Sequence, residues 1–273
     1  MVNVCGVISG MIKPPWNFPL ILHLWGWHVY VHQITDIIAY ALGFRLYLLL
    51  KKRWNTPRFS LETNGWLLLG CIFGALIGAK VLAWTEAPEY YWQLRNSPLF
   101  WYGGKTIVGG LLGGWIGIEI AKKFNRITVS TGDVCVFPLI MGMAIGRVGC
   151  FVTGLEDNTC GLATRLPWGV DFGDGIPRHP AQIYEILFLL VLALILGCAR
   201  ARLRPDGSLF RWFVAGYLGF RFLSEFIKPR VALFFGLSSI QWACLIGIVV
   251  CTVLLMKRRN DFAVSRTKTP MSE

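Results

Sequence analysis

Charge is scarce in this sequence. Only 15% of its 273 residues are Asp, Glu, Lys or Arg, and acids are the rarer sign, 15 against 27 bases. A soluble globular domain carries about 25% charged residues, so an ordinary water-facing surface is excluded. Histidine is scarcer still, with four residues, and the eight cysteines show no CxxC or Cys/His spacing. Local spacing therefore offers no metal centre, and none is expected. No cleavable signal is expected from the first residues: Met1 to Tyr30 has no basic region followed by an apolar core, and Leu20 to Tyr30 is broken up by His23 and His28. No low-complexity segment is present.

Hydrocarbon fills the space. Hydrophobic residues make up 55% of the chain and the mean hydropathy is +0.54, which places it among polytopic membrane proteins. The expectation is an all-α fold with seven transmembrane helices, at 32–50, 65–84, 103–121, 132–153, 183–199, 209–227 and 237–256. Each is near the roughly 20 residues that a helix needs to cross a hydrocarbon core about 30 Å thick. Residues 1–273 are expected to form one integral membrane domain, with 1–31 an outer-face arm, 154–181 an outer-face loop and 257–273 a basic, disordered cytoplasmic tail. Trp16, Trp25 and Trp27 suit the arm to headgroup depth.

The net charge of +12 invites a nucleic-acid reading, which the placement of the bases opposes. Lys51, Lys52, Arg53 and Arg58 follow the first span, and Lys122, Lys123 and Arg126 the third. Arg200, Arg202 and Arg204 lie between the fifth and sixth, with Arg211 at the start of the sixth, while Lys257, Arg258, Arg259, Arg266 and Lys268 follow the last. Alternating spans put all four clusters on one side. The positive-inside rule then sets the C-terminus in the cytoplasm and the N-terminus outside. Membrane lipids, not nucleic acid, are the natural partner of these bases.

Two glycine series stand inside the spans: Gly70, Gly74 and Gly78 in the second, and Gly109, Gly113 and Gly117 in the third, with Gly110 and Gly114 alongside. Glycine at every fourth position clears a strip along which another backbone can approach, so these two helices are expected to pack tightly. The intervening stretch 85–102 reads as an aromatic loop. Gly103-Gly104-Lys105-Thr106 then opens the third span, where free backbone N–H groups favour an anion.

The polar passage from Gly146 to Glu185 interrupts this apolar background. It carries Arg147, Gly154, Arg178, His179, Gln182, Tyr184 and Glu185. An arginine near lipid without a partner costs at least about 2.5–3.5 kcal/mol on insertion scales, so Arg147 is a functional candidate, with snorkelling as the plain alternative. Cys150 and Cys160 flank the start of the loop, and a disulfide between them is one option. In the sixth span Tyr217, Arg221 and Glu225 recur four apart on one helical face. The topology brings Lys105, Arg147, Arg221 and His179 to the same leaflet. Guanidinium forks match phosphate oxygens, so the residues point to an enzyme or binder of anionic lipid acting from the outer side.

Gly146-Arg147-Val148-Gly149, Pro167-Trp168-Gly169-Val170, Arg178-His179-Pro180-Ala181-Gln182-Ile183-Tyr184-Glu185, the Tyr217/Arg221/Glu225 set and Leu237-Ser238-Ser239-Ile240-Gln241 together resemble the signature passages of the phosphatidylglycerol–prolipoprotein diacylglyceryl transferase family. The similarity covers roughly residues 32–259. It implies an inner-membrane transferase that moves the diacylglyceryl group of phosphatidylglycerol to the thiol of a lipobox cysteine in a preprolipoprotein signal peptide, with no metal or diffusible cofactor. Arg147 and Arg221 would hold the lipid phosphate, with Tyr217 and Glu225 bracing Arg221. Lys105 and His179 would supply positive field and a base. Thr106, Cys150, Gly154, Gln182, Tyr184 and Glu185 complete the expected substrate-binding set. The chain departs from the family pattern at Val108, where a histidine is expected, at Cys150 for an asparagine, at Leu155 for an acid, and early in the first span, where Thr35 or Asp36 stands for a tyrosine. The alternatives are a divergent paralogue that moves a related lipid group to another acceptor, or a lipid-binding membrane protein without turnover.

Overall fold

In the computed structural model the described residues are 12–24, 27–54, 56–203 and 207–267. They form nine α-helices and two small antiparallel sheets. Trp25, Arg204 and Lys268 lie outside the described residues. The chain divides into two compact units. The first draws on the described residues up to Arg53, on Phe137–Ile195 and on Phe226–Pro229; the second takes Trp54–Val136, Leu196–Glu225 and the described residues from Arg230 onward.

The first unit opens on a hairpin in the arm, β1 (Ile21–Leu24) against β2 (Trp27–Tyr30), in the register Ile21 with Tyr30 and His23 with His28. Helix α1 (Val31–Arg53) follows directly. The later helices of this unit are α6 (Val136–Thr153) and most of α7 (Ala181–Ala199). Between them, a 3-10 turn at Gly154–Asp157 leads into the loop that holds β3 (Val170–Asp171) and β4 (Pro177–Arg178), with Val170 opposite Arg178. Buried Cys160, Val170 and Phe172 form its apolar centre, packed by Phe18, Phe151 and Leu155. Asp171 Oδ1 accepts from the backbone N–H of Gly173 and of Gly175, both at 2.9 Å. Those two glycines take φ of +106° and +75°, a region side chains resist, so the turn needs them.

The second unit is built on α2 (Leu61–Glu86) and α5 (Ile107–Phe124). Their glycines face each other as the spacing anticipates: Gly70 meets Gly117, Gly74 meets Gly113 and Gly78 meets Gly109. A Cβ added at any of the six would fall inside contact distance of the opposite backbone carbonyl, so no larger residue fits. Helix α5 begins four residues later than the span expected from 103. Gly104 has φ of +61°, and Thr106 caps the helix by accepting from Gly109 N at 3.2 Å. The 85–102 stretch, read as a loop, contains the short helices α3 (Pro88–Gln93) and α4 (Leu99–Tyr102).

Helices α8 (Ser208–Ser224) and α9 (Ser239–Thr267) complete this unit. Asp133 caps α8 from a distance, accepting from Gly207 N at 2.8 Å and Phe210 N at 2.9 Å. A capping box starts α9: Ser238 Oγ accepts from Gln241 N at 3.2 Å and Gln241 Oε1 accepts from Ser238 N at 3.0 Å. The tail expected to be disordered from 257 instead continues α9 as far as Thr267, because nothing in that basic stretch breaks a helix.

Among the described residues, five helical stretches are long and apolar enough to cross a membrane: Val31–Arg53, Leu61–Glu86, Asp133–Asp157, Ala181–Ala199 and Ser239–Lys257. Helices α5 and α8 occupy the two remaining expected places. The first carries Glu119, Lys122 and Lys123, and the second has 17 residues, so length and composition alone do not qualify either. Exposed Tyr40, Phe44, Phe73, Ile77, Leu194 and Val253 give these helices apolar outer surfaces suited to lipid. The protein is a mostly helical, multi-pass membrane protein.

Candidate lipid-phosphate site

Arg147 is two-thirds of the way along α6, and its guanidinium does not snorkel. Its Nε lies 2.9 Å from Glu185 Oε2 on α7, with the two side chains 5% and 1% exposed. The apolar runs on either side set this depth: each helix has to bury its polar residue, and the two charges answer one another. Arg147 Nη1 also lies 3.6 Å from Cys150 Sγ, one turn further along α6.

The loop residues group around the start of α7. His179 Nδ1 is 3.2 Å from the Tyr184 hydroxyl, which receives the Trp168 indole N–H at 2.8 Å. Gln182, fully buried, donates to Thr159 Oγ1 at 3.1 Å and to Cys160 Sγ at 3.4 Å. Both Cys150 and Cys160 are free thiols, so the disulfide option is not realised. Cys160 Sγ instead points at the Gly154 carbonyl, 3.4 Å away. Burial pushes the Cys160 thiol up from its ordinary value, which keeps it protonated and inert. Gly154 has φ of +74°, and a Cβ there would strike the Phe18 ring. At the loop tip Arg178 grips Asp174 through Nη2 at 2.6 Å and Nε at 3.1 Å. Burial alone would raise Asp174, but the bonds from Arg178 and from Ile176 N hold its carboxyl below the usual aspartate value.

In the second unit Tyr217, Arg221 and Glu225 are all buried, and Arg221 Nη2 donates to Glu225 Oε1. Tyr217 is one turn earlier and stacks on Phe213 at 6.3 Å between centroids. The Arg221 carbonyl accepts from Ser224 Oγ at 3.1 Å. Gln241 links the start of α9 to this helix, donating to the Phe222 carbonyl at 3.2 Å and accepting from Arg230 Nη1 at 2.6 Å. Lys105 is exposed at the turn before α5. Lys80 donates to the Gly103 carbonyl in the same turn. The Thr106 hydroxyl is committed to its cap and to Ala79 O at 3.3 Å.

A model of the family described as prolipoprotein diacylglyceryl transferase matches residues 19–257. The chain belongs to the prolipoprotein diacylglyceryl transferase family. It is similar to proteins named phosphatidylglycerol–prolipoprotein diacylglyceryl transferase. That of Polynucleobacter asymbioticus is 36% identical over 244 residues, covering 82% of this chain and 91% of that protein. That of Idiomarina loihiensis is 31% identical over 269 residues, covering 90% and 96%. The Legionella pneumophila protein is 30% identical over 245 residues, covering 87% and 91%.

The positions at which this diacylglyceryl transferase family member departs from the expected pattern have definite surroundings. Val108 is 1% exposed and apolar, with no polar function available to it. Leu155 packs on the Phe172 cluster, whereas Glu156 beside it is exposed. Thr35, early in α1, donates to the His32 carbonyl at 2.8 Å. Sequence reasoning missed His32, and it placed Asp157 and Trp168 in the polar passage without their neighbours Cys150 and Tyr184. These residues come close to Cys150 or Tyr184 only through folding, and no local spacing signals it.

Proposed function

We propose that this chain transfers the diacylglyceryl group of phosphatidylglycerol to the thiol of a lipobox cysteine in a preprolipoprotein. The observation that carries the reading is a buried Arg–Glu ion pair at each of the two arginines that the family's signature passages mark, in a chain matched over residues 19–257. Arg147 and Arg221 each offer a guanidinium to the lipid phosphate, and Glu185 and Glu225 hold those guanidiniums in orientation.

The acceptor thiol, with an ordinary pKa near 8.5, first loses its proton. The thiolate sulfur then forms a bond to the glyceryl C3 carbon, and the C3–O bond to phosphate breaks. The electron pair leaves on glycerol phosphate, where the guanidiniums stabilise the developing charge. His179, held by Tyr184, serves as base and Lys105 adds positive field. Thr106, Cys150, Gly154, Gln182 and Tyr184 shape the substrate-binding surroundings. By the distribution of bases the protein lies in the bacterial inner membrane with its N-terminus outside, its C-terminus in the cytoplasm and the site toward the outer leaflet.

Val108 favours a second reading. A buried valine where the family pattern has a histidine suits a paralogue that moves a related lipid group to another acceptor. Purified protein incubated with labelled phosphatidylglycerol and a lipobox peptide separates the two. The first reading requires a peptide mass gain of one diacylglyceryl group with equimolar glycerol phosphate. Glycerol phosphate released without peptide modification would replace it with the second.

A further inference from the structure

We infer that His32, Cys150 and Asp157 form a binding site for a divalent metal ion of the zinc class. The three come from the start of α1, the last turn of α6 and the 3-10 turn after it, all within the first unit. One ligand atom from each lies within 4.8 Å of the other two. Zinc takes sulfur at about 2.3 Å and nitrogen or oxygen at about 2.0–2.2 Å, so ligand atoms placed tetrahedrally about it stand roughly 3.3–3.6 Å apart. Closing on an ion therefore asks only a small inward movement of each side chain. Imidazole, thiolate and carboxylate together suit a borderline ion such as zinc better than magnesium or calcium, which prefer oxygen alone. Thiolate and carboxylate also balance the two positive charges. Three protein ligands leave a fourth position open, and His32 and Asp157 side chains are 26% and 15% exposed, which gives an ion access.

The surroundings support the ligands. His32 Nδ1 faces Asp157 Oδ1 at 3.8 Å, while Nε2 on the other side of the ring lies 3.6 Å from Asp36 Oδ2. A carboxylate behind a ligating histidine is the usual device for fixing its tautomer and raising its basicity. Without metal, Nδ1 lies 3.0 Å from the Thr153 hydroxyl, whose own proton goes to the Gly149 carbonyl at 2.9 Å. Thr153 can then only accept, which puts the ring proton on Nδ1. Metal displaces that proton and leaves the ring N–H on Nε2, toward Asp36. Thr159 donates to Asp157 Oδ2, which leaves Oδ1 for the ion. The Arg147 guanidinium stands beside the sulfur, with Nη1 3.6 Å from Cys150 Sγ.

The test uses the full chain in detergent, purified with a tag free of histidine, loaded with zinc alone and dialysed, with metal counted by mass spectrometry. The expected result is about one zinc per chain, as a single mononuclear site requires. Cobalt(II) titrated into metal-free protein should give a thiolate-to-cobalt charge-transfer band. That band should survive in Cys160→Ser and vanish in Cys150→Ser, and Asp36→Asn should weaken binding about 10- to 100-fold. Wild-type protein needs no variant to fail: absence of the band, or zinc removed by dialysis, overturns the proposal. A band that persists in monodisperse Cys150→Ser assigns the metal to another thiol and overturns it equally.

Discussion

Arg147 Nε and Glu185 Oε2 stand 2.9 Å apart, a cation on α6 answered by an anion on α7 with almost no exposed surface on either. Breaking such a pair from one side leaves an uncompensated buried charge at a cost of about 3–5 kcal/mol. Glu185→Ala is therefore expected to lower the thermal unfolding midpoint in detergent markedly, and to depress transfer beyond what the loss of folded protein explains. Wild-type stability in this variant would show that the pair carries no structural weight.

Arg221→Lys keeps the charge beside Glu225 but loses the planar fork. The protein is expected to fold, because a buried cation still faces the carboxylate, while turnover falls about 100-fold as transition-state hydrogen bonds to phosphate are lost. Rates of glycerol phosphate release check this. A variant within twofold of wild type would remove Arg221 from the reaction.

The glycine contacts predict sharply different tolerances within one unit. At Gly74 a Cβ would collide with the Gly113 carbonyl, whereas at Gly219 nothing lies within 4 Å. Gly74→Leu should cost on the order of 3 kcal/mol or leave no folded protein, since overpacking here pushes backbone against backbone. Gly219→Ala should be neutral or stabilising by about 0.5–1 kcal/mol. Melting curves and yields in detergent measure both.

Asp174 supplies a pH dependence. Its folded carboxyl is held below the ordinary aspartate value, so its contribution to loop stability is fully present above about pH 4 and is lost as pH falls through the folded value. Hydrogen exchange over 170–178, corrected for the intrinsic rate, should accelerate in wild type as acid is added. In Asp174→Asn it should be faster at neutral pH and nearly independent of acid. Equal acid responses in the two proteins would break the assignment.

Much of this was legible in the sequence. Apolar runs of about 20 residues marked every long helix, because a lipid-facing helix must be apolar on most of its surface. The Gly70/Gly74/Gly78 and Gly109/Gly113/Gly117 series fixed their partners, since a four-residue period selects one helical face. Arg147 and Arg221 stood out as cations in hydrocarbon, yet only Glu225 could be named as a partner from spacing. Glu185 pairs across helices, which no local period encodes. The same limit hid His32 and Asp157 from Cys150. Asp133 and Glu86 were likewise invisible: each caps a helix remote in sequence, Glu86 accepting from Ser239 Oγ at 2.6 Å and Ile240 N at 3.3 Å.

The glycine ladder between α2 and α5 has a mechanical consequence. Where main chain rests on main chain, no side chain stands ready to swing aside, and the seam cannot open by changing rotamers. These two helices must travel as a single beam. A phospholipid entering sideways has to find its doorway along some other pair of helices, and crosslinks between α2 and α5 should leave its passage unhindered.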